Sequence, residues 1–176
     1  MIIDVKELSR ISDFDEVDEA LLQMKLDSIE ELIRAYTNNN FQNRKIRFSA
    51  PSKSNRIEGW CEYIKEGDTV QITDSINDGL YVVKELRRVG HTIELNKELF
   101  DAPYNLITKV QYPASFKEGV INLMMWDIQN REKVGIQSET LSRHSVTYFQ
   151  QDASNQLMGY PITLLGFLKP YIKARF

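Results

Sequence analysis

The chain has 176 residues, of which 42% are apolar and 10% aromatic, and its 22 basic and 25 acidic side chains give a formal net charge of −3. This composition suffices for the core of a domain of about 100–200 residues and excludes a disordered or collagen-like chain. There is no run of roughly 18–20 apolar residues, no basic-then-apolar N-terminus, and too little Cys and His for a disulfide scaffold or a structural zinc site, so we predict a soluble protein made in the cytoplasm, without metal or cofactor.

The first predicted element is a helix over residues 13–38. Its apolar residues recur at spacings of three and four, which is the spacing of one helix face: Leu22, Leu26, Ile29, Ile33 and Tyr36. Asp13 and Glu16 have the spacing of a capping box. A shorter helical turn, with Val5, Leu8 and Ile11, precedes this helix.

Residues 46–110 favour short strands, because β-branched and aromatic residues alternate with polar ones. Strands are predicted at 57–64, 69–73, 80–86 and 92–95, with glycine turns between them at Gly67 and Gly79. This pattern indicates a small antiparallel barrel or curled sheet. The basic stretch 44–56, which contains Pro51, is predicted to be an extended loop that leads into the sheet.

A second major helix is predicted after Pro113. Ser115 and Glu118 have capping-box spacing, and Gly135 is placed to end the helix. A strand is predicted at 145–149. A last helix begins at Pro161, with Leu164, Leu165, Leu168 and Ile172 on one face, and Pro170 kinks or ends it.

The predicted fold class is therefore α+β. We expect a mainly helical core of three main helices, formed by residues 1–45 and 103–176, with a small antiparallel β-rich insertion at 46–102 between the first and second helices.

Charge is segregated along the chain. Net charges are −6 for residues 1–40, +4 for 41–65, −4 for 66–102 and +3 for 103–176. Solvated helix faces produce such a pattern, and so does a protein that places unlike charged faces against partners. Both interpretations stay open at this point.

Catalytic chemistry has weak support in the sequence. Cys61 in a predicted strand and His91 in a turn are a candidate nucleophile and base, but a lone cysteine on a strand is more often a core residue. Ser142 and His144 lack the glycines of a nucleophile elbow. The basic stretch 44–56 is the one candidate nucleic-acid patch, without a known reading motif. We predict a non-enzymatic protein with no catalytic residues.

Two motifs follow the second helix. The first is G-I-x-S-E, with Gly135, Ile136, Ser138 and Glu139, and the second is S-V-T-Y, with Ser145, Val146, Thr147 and Tyr148. The Asn130-Arg131 pair precedes them, and a Pro-Tyr-basic ending follows at residues 170–175. Together they resemble the head-tail connector family of long-tailed bacteriophages, also called adaptor or head-completion proteins, over residues 1–40 and 103–176.

There are departures from that pattern. Arg143-His144 stand where relatives have a Gly-aromatic step. The β-rich region exceeds the family's minimal form, and the strings at 67–72 and 77–83 resemble a small SH3-like module of phage structural proteins. We interpret this module as an insertion into the connector.

The resemblance implies a structural virion protein at the head-tail interface, made in the host cytoplasm. Members form a ring, typically dodecameric, beneath the portal protein after DNA packaging. The ring extends the DNA channel and connects the packaged head to a stopper or tail protein. Double-stranded DNA would pass through it without sequence specificity, and no membrane is involved.

The resemblance also assigns surfaces. The C-terminal segment is predicted to contact the portal through Leu168, Lys169, Tyr171, Lys173 and Arg175. A ring needs two different complementary faces, and we predict that the subunit interface includes Asp15, Glu19, Arg44, Lys45 and Arg47. The net acidity is consistent with a channel that does not grip DNA.

Two alternatives stay open. One is another phage ring protein, such as a tail-completion or tail-terminator protein. The other is a small hydrolase that uses Cys61 and His91.

Overall fold

The computed structural model describes residues 1–130, 138–141, 144–147 and 156–174. The chain forms two compact units, one of Asn40–Tyr112 with Met1 and one of Ile2–Asn39 with Pro113–Phe176. We call them the barrel unit and the helical unit.

The barrel unit is a closed antiparallel barrel of six strands. Around the barrel the strands follow the order β1-β2-β5-β4-β3-β6, and β6 pairs with β1 to close it. The strands are β1 Gln42–Lys53, β2 Arg56–Glu58, β3 Thr69–Thr73, β4 Gly79–Arg87, β5 Thr92–Leu95 and β6 Ala102–Val110.

The longest strand, β1, pairs with both β2 and β6. Phe48 lies opposite Ile107 and Arg47 opposite Thr108, so apolar residues turn inward and charged ones outward. Register shifts between Gln42 and Arg47 and between Ala50 and Ser52 interrupt the pairing, as bulges do where a barrel strand bends.

Branched aliphatic side chains from all six strands fill the barrel. The most deeply buried are Ile57, Val70, Ile72, Val83, Ile93 and Ile107. Each contributes about 1.5–3 kcal/mol on burial, so this core is the main source of stability of the barrel unit.

The helical unit contains α1 Val5–Leu8, a 3₁₀ turn Ser12–Phe14, α2 Glu19–Thr37 and α3 Ser115–Asn130. Two short hairpins follow, β7 Ser138–Leu141 with β8 His144–Thr147 and β9 Gln156–Leu157 with β10 Tyr160–Pro161. A 3₁₀ helix, Ile162–Tyr171, comes last among the described elements.

Helix α2 begins later than the capping-box pattern predicts. Its N-cap is Asp18, whose carboxylate accepts a 2.7 Å hydrogen bond from the Ala20 N–H. Asp13 lies in the preceding 3₁₀ turn, which buries Phe14 completely. The break at 15–18 therefore reflects the burial of Phe14. The helix ends as predicted, at Asn38, which has φ 47°.

The C-terminal segment forms a 3₁₀ helix in place of the predicted α-helix. A 3₁₀ helix has three residues per turn, so Leu165, Leu168 and Tyr171 fall on one face. Leu165 and Leu168 are buried, and the Tyr171 and Phe167 rings each lie edge-on to Phe116 of α3, at 5.0 and 5.4 Å. The spacing of three thus brings Tyr171 onto the face of the two buried leucines, and Phe167, outside that spacing, also packs on Phe116.

The expected fold class, a mainly helical core with a small β insertion, is wrong. The structure is strand-rich, with a six-stranded barrel as its largest element and with helices before it and after it. The error came from the basic stretch at 44–56 and from the segment before Pro113. The first is largely β1, in which Ser49, Pro51 and the Arg and Lys residues are exposed, and the second is β6.

Among the described residues, no helix combines the length and the apolar character that crossing a membrane requires.

Candidate interaction surface

Three neighbouring strands of the barrel, β1, β6 and β3, form a surface without carboxylates. None of these three described strands contains an Asp or a Glu, although Glu58, Glu85 and Glu94 lie on β2, β4 and β5. Pairing of β6 with both β1 and β3 joins the three strands into one surface. We call the outer surface of β1, β6 and β3 the basic face.

The basic face carries exposed cations with no acidic partner. Arg44, Lys45 and Lys53 are exposed and form no ion pair with any residue that the structure describes. Lys109 of β6 differs, because its Nζ is 2.5 Å from the Asp68 carboxylate. The positive potential of the basic face thus comes from β1.

Arg47 is fixed in place by a row of polar side chains across the three strands. Its Nε donates to Thr108 Oγ1 at 2.9 Å, and its Nη2 donates to Gln42 Oε1 at 3.3 Å. The Gln42 amide in turn donates to Gln71 of β3 at 3.1 Å. An arginine held by two hydrogen bonds loses less side-chain entropy on binding than a free one, so Arg47 is preorganised for a carboxylate or a phosphate.

On the opposite part of the barrel, cations and carboxylates neutralise one another. Lys84 donates to Glu94 at 3.0 Å and lowers its pKa below the ordinary value. Arg87 likewise lowers the pKa of Glu85, with two hydrogen bonds of 3.0 Å. These locally paired charges leave little net field for a partner, in contrast to β1.

The helical unit has an exposed segment of opposite sign at the start of α2. We call it the acidic segment, and its five carboxylates are Asp13, Asp15, Glu16, Asp18 and Glu19, all exposed. Asp18 caps α2. Glu19 lies in the first turn of α2, where the helix dipole favours negative charge.

Two large apolar side chains lie on the solvent side of α2 beside the acidic segment. Leu21 is 39% exposed and Met24 is 61% exposed, whereas Leu22 and Leu26 of the same turns are buried. Spacing of three residues places Leu21 and Met24 on one stripe. The N-cap residue Asp18 precedes Leu21 by three positions and so lies next to this stripe, whereas Glu19 precedes Leu21 by two and lies on another side of the helix.

One end of the barrel is fixed by a buried network of amides. The Asn77 amide donates to Asn105 Oδ1 at 3.0 Å, to the Phe100 carbonyl at 2.9 Å and to Ser52 Oγ at 3.1 Å. Asn77 Oδ1 accepts from the Phe100 N–H at 2.8 Å, and the Tyr81 hydroxyl donates to the Asn77 carbonyl at 2.9 Å. These bonds hold the loops 74–78 and 96–101 together.

The same loops expose apolar side chains to solvent. Ile76 is 67% exposed and Phe100 68% exposed, and Tyr104 on β6 is 46% exposed. Exposed carboxylates of Asp74, Asp78 and Asp101 lie in the same loops, so this end of the barrel is an apolar surface with acidic neighbours. Its character differs from that of the basic face.

The candidate catalytic pair lies at a third place in the barrel unit. Cys61 is half-buried and packs against the barrel core, and His91 is exposed in the turn between β4 and β5. The His91 ring lies edge-on to Trp60, with centroids 6.0 Å apart. Within the described residues, no hydrogen bond joins the Cys61 thiol to His91, and no group of three or more His, Cys, Asp or Glu forms a metal site.

Described residues of the G-I-x-S-E and S-V-T-Y strings pair in one hairpin. Ser138 and Glu139 lie on β7 and pair across the hairpin with Thr147 and Val146 of β8, and Ser145 pairs with Thr140. Gly135, Ile136 and Tyr148 lie outside the described residues, as do Arg131 and Arg143.

The predicted portal-contact residues divide into two groups. Leu168 is fully buried and Tyr171 is half-buried on Phe116, so both contribute to the core of the helical unit. Lys169 and Lys173 are exposed, and the Lys173 N–H donates to the Thr37 carbonyl at 2.8 Å. Arg175 lies outside the described residues.

Of the predicted interface residues, all five are exposed. Arg44, Lys45 and Arg47 lie on β1, Asp15 follows the 3₁₀ turn, and Glu19 begins α2. Sequence reasoning missed that β3 and β6, which contain no Asp or Glu, lie next to the cations of β1. Only strand pairing brings the three strands together. It also missed Leu21 and Met24. These two apolar residues fall outside the spacing of the buried stripe of α2, and this was visible in the sequence.

Neither a family model nor a curated protein matches the chain.

Proposed function

We propose that the chain is a structural subunit of a ring at the head-tail junction of a long-tailed bacteriophage virion. The ring lies beneath the portal, extends the DNA channel and receives the stopper or tail protein. The role is one of assembly, without a catalytic step. Double-stranded DNA passes through the ring, and the cations of the subunit serve protein contacts.

The hairpin of β7 and β8 is the observation that carries the proposal. The G-I-x-S-E and S-V-T-Y motifs were identified as separate strings, and their strand residues are cross-strand partners, with Glu139 opposite Val146. Two motifs that pair within one structural unit support a common origin better than two unrelated matches do, since pairing fixes their relative order and spacing.

Electron microscopy of particles that lack the protein tests this role. We expect heads that have packaged DNA, then leak it and carry no tail. Sealed, DNA-filled heads would contradict a position beneath the portal, and they would favour a tail-completion or tail-terminator ring.

The portal contact is tested separately by truncation after Tyr160. We propose that the exposed Lys169 and Lys173 contact the portal from the C-terminal segment. The truncated chain should fail to dock on isolated portal rings in a co-sedimentation assay, and retained docking would remove this assignment. Because truncation also removes the buried Leu165 and Leu168, the variant Lys169→Glu with Lys173→Glu serves as a second test that spares the core.

A further inference from the structure

We infer that the basic face binds the acidic segment of a second copy of this chain, with Leu21 and Met24 of that copy against the uncharged part of the face. This inference rests on the proposed function, because it names the contact through which subunits of the ring meet. It commits to one occupant, another subunit of the same protein.

Complementary charge is the first reason. Arg44, Lys45 and Arg47 lie within four consecutive positions of β1, a span of about 10 Å in a strand. The acidic segment presents its carboxylates over a similar length, and none of Asp15, Glu16 and Glu19 forms an ion pair with a residue that the structure describes. Both surfaces are thus exposed and free of ion pairs with the described residues.

Apolar complementarity is the second reason. Beside Arg47, the outer surface continues through Leu106 of β6, which lies opposite Ser49 of β1 and Thr73 of β3. This part of the basic face is uncharged and includes the half-buried Leu106. Leu21 and Met24 are the exposed apolar residues next to the acidic segment, so a helix that places its carboxylates on β1 brings apolar surface with it.

Symmetry is the third reason. The basic face belongs to the barrel unit and the acidic segment to the helical unit, so contact between two copies joins different surfaces. Such a heterologous contact leaves one basic face and one acidic segment open at the ends of every partial assembly. Repetition continues until a ring closes.

Nucleic acid is the other occupant that a basic face suggests. Three clustered cations neutralise few phosphates, and the uncharged part of the face around Leu106 has no role in a phosphate contact. The chain itself supplies an acidic, partly apolar helix, and this favours a second copy.

Charge reversal and charge exchange test the inference by sedimentation velocity of the full chain. We expect the wild type to self-associate and to dissociate as salt rises from about 50 mM to about 500 mM. Arg44→Glu with Lys45→Glu, and separately Asp15→Lys with Glu19→Lys, should each weaken self-association about 100-fold. Mixing the two variants should restore assembly with the two variants in equal amounts, because each retains one intact surface and the altered surfaces now attract.

The matched control is Arg88→Glu with Lys97→Glu, which makes the same charge change at exposed residues outside the basic face. It should leave self-association unchanged. Circular dichroism of every variant identifies any loss of folding. Leu21→Ser with Met24→Ser tests the apolar contribution and should weaken association without changing its salt dependence.

Four results would overturn the inference. Three are a wild type that stays monomeric at every salt concentration, equal weakening by the control, and no assembly on mixing the two exchanged variants. A fourth is loss of binding to a short DNA duplex in Arg44→Glu with Lys45→Glu while self-association is unchanged, which would assign the face to nucleic acid. Failure of the proposed function is distinct, since particles without the protein would then be sealed whether or not the isolated chain self-associates.

Discussion

Asn77 is a single side chain on which two loops of the barrel depend. Its Oδ1 accepts one hydrogen bond, and its two amide N–H groups are shared among three acceptors, all within or beside the buried end of the barrel. Across the described residues, no buried side-chain nitrogen or oxygen lacks a hydrogen-bond partner. The network is therefore complete, and removing its central member leaves several groups unsatisfied.

We expect Asn77→Ala to lower the free energy of unfolding by about 1–3 kcal/mol, because the part-buried Phe100 N–H loses its acceptor and the buried Asn105 and Ser52 oxygens lose a donor. Urea denaturation measures the change. The control is Asn43→Ala, whose amide bonds to Gln111 at the surface, and it should change the free energy by less than about 0.5 kcal/mol. Equal effects of the two variants would contradict the structural role of the network.

Tyr81, whose hydroxyl donates to the Asn77 carbonyl, makes the stability of the protein depend on pH in the alkaline range. Burial raises the pKa of its hydroxyl above the ordinary value of 10.0, and the Asp78 carboxylate raises it further. The folded state thus favours the neutral phenol. The stabilisation is complete below the pKa of the unfolded chain and is lost as the pH rises through the pKa of the folded state.

The free energy of unfolding should therefore decrease as the pH rises from about 10. Tyr81→Phe, which cannot ionise, should show a smaller decrease over the same range. Absorbance at the tyrosinate band should lose its most alkaline component in this variant. A wild type and a variant with parallel stability profiles would show that Tyr81 ionises freely in the folded protein.

Among the elements, α3 and the C-terminal 3₁₀ helix depend on a glycine for their close approach. A Cβ at Gly119 would lie 2.5 Å from the Phe167 ring, which itself packs on Phe116. Helix propensity alone would favour alanine at this position by about 1 kcal/mol. Steric overlap with the Phe167 ring, which packs edge-on against Phe116, opposes this gain.

We expect Gly119→Ala to destabilise the protein by about 1–3 kcal/mol, because overpacking outweighs propensity. Thermal denaturation measures the change. Gly166→Ala is the matched control, since no heavy atom lies within 4 Å of its added Cβ, and it should be neutral or slightly stabilising. Stabilisation by Gly119→Ala would show that the two elements are farther apart than the structure has them.

Some strands were predictable from the sequence, because their alternation of apolar and polar residues matches the alternation of more and less buried positions. Predicted strands at 69–73 and 92–95 have the bounds of β3 and β5. The predicted strand 57–64 is shorter in the structure, because at Gly59 the backbone approaches Ala50 so closely that a Cβ would lie 2.6 Å away. This approach depends on the pairing of β2 with β1, a segment that the sequence pattern predicts to be a loop.

Strand β1 was not predictable because its outward residues are polar and its interior positions include Ala50 and Ser52. Ser52 is buried, and its hydroxyl donates to the Phe100 carbonyl and accepts from the Asn77 amide. Both partners belong to loops remote in the sequence. Of the candidate surface, the charged residues were visible in the sequence. The basic face as a whole was not, since it depends on the neighbours of β6.

At the scale of the whole molecule, the chain consists of two units with separate cores. The barrel unit is one continuous segment apart from Met1, and its strand hydrogen bonds close on themselves. Such a segment contains the interactions that it needs for stability.

We expect a fragment of residues 40–112 to fold alone. It should unfold cooperatively in urea and retain near-ultraviolet circular dichroism from Tyr81. Gradual, non-cooperative loss of signal would show that the barrel unit needs the rest of the chain.

Closure of the barrel by β1 and β6 also has a kinetic consequence. Arg47 and Thr108 are 61 positions apart, and closing a loop of that length costs about 4 kcal/mol of entropy before any contact forms. The hairpins of β3, β4 and β5 are local and form earlier. Until closure, β1 and β6 both have an unpaired edge that can pair with another chain. The yield of refolding should therefore decrease as protein concentration rises, even though the closed barrel presents no edge at all.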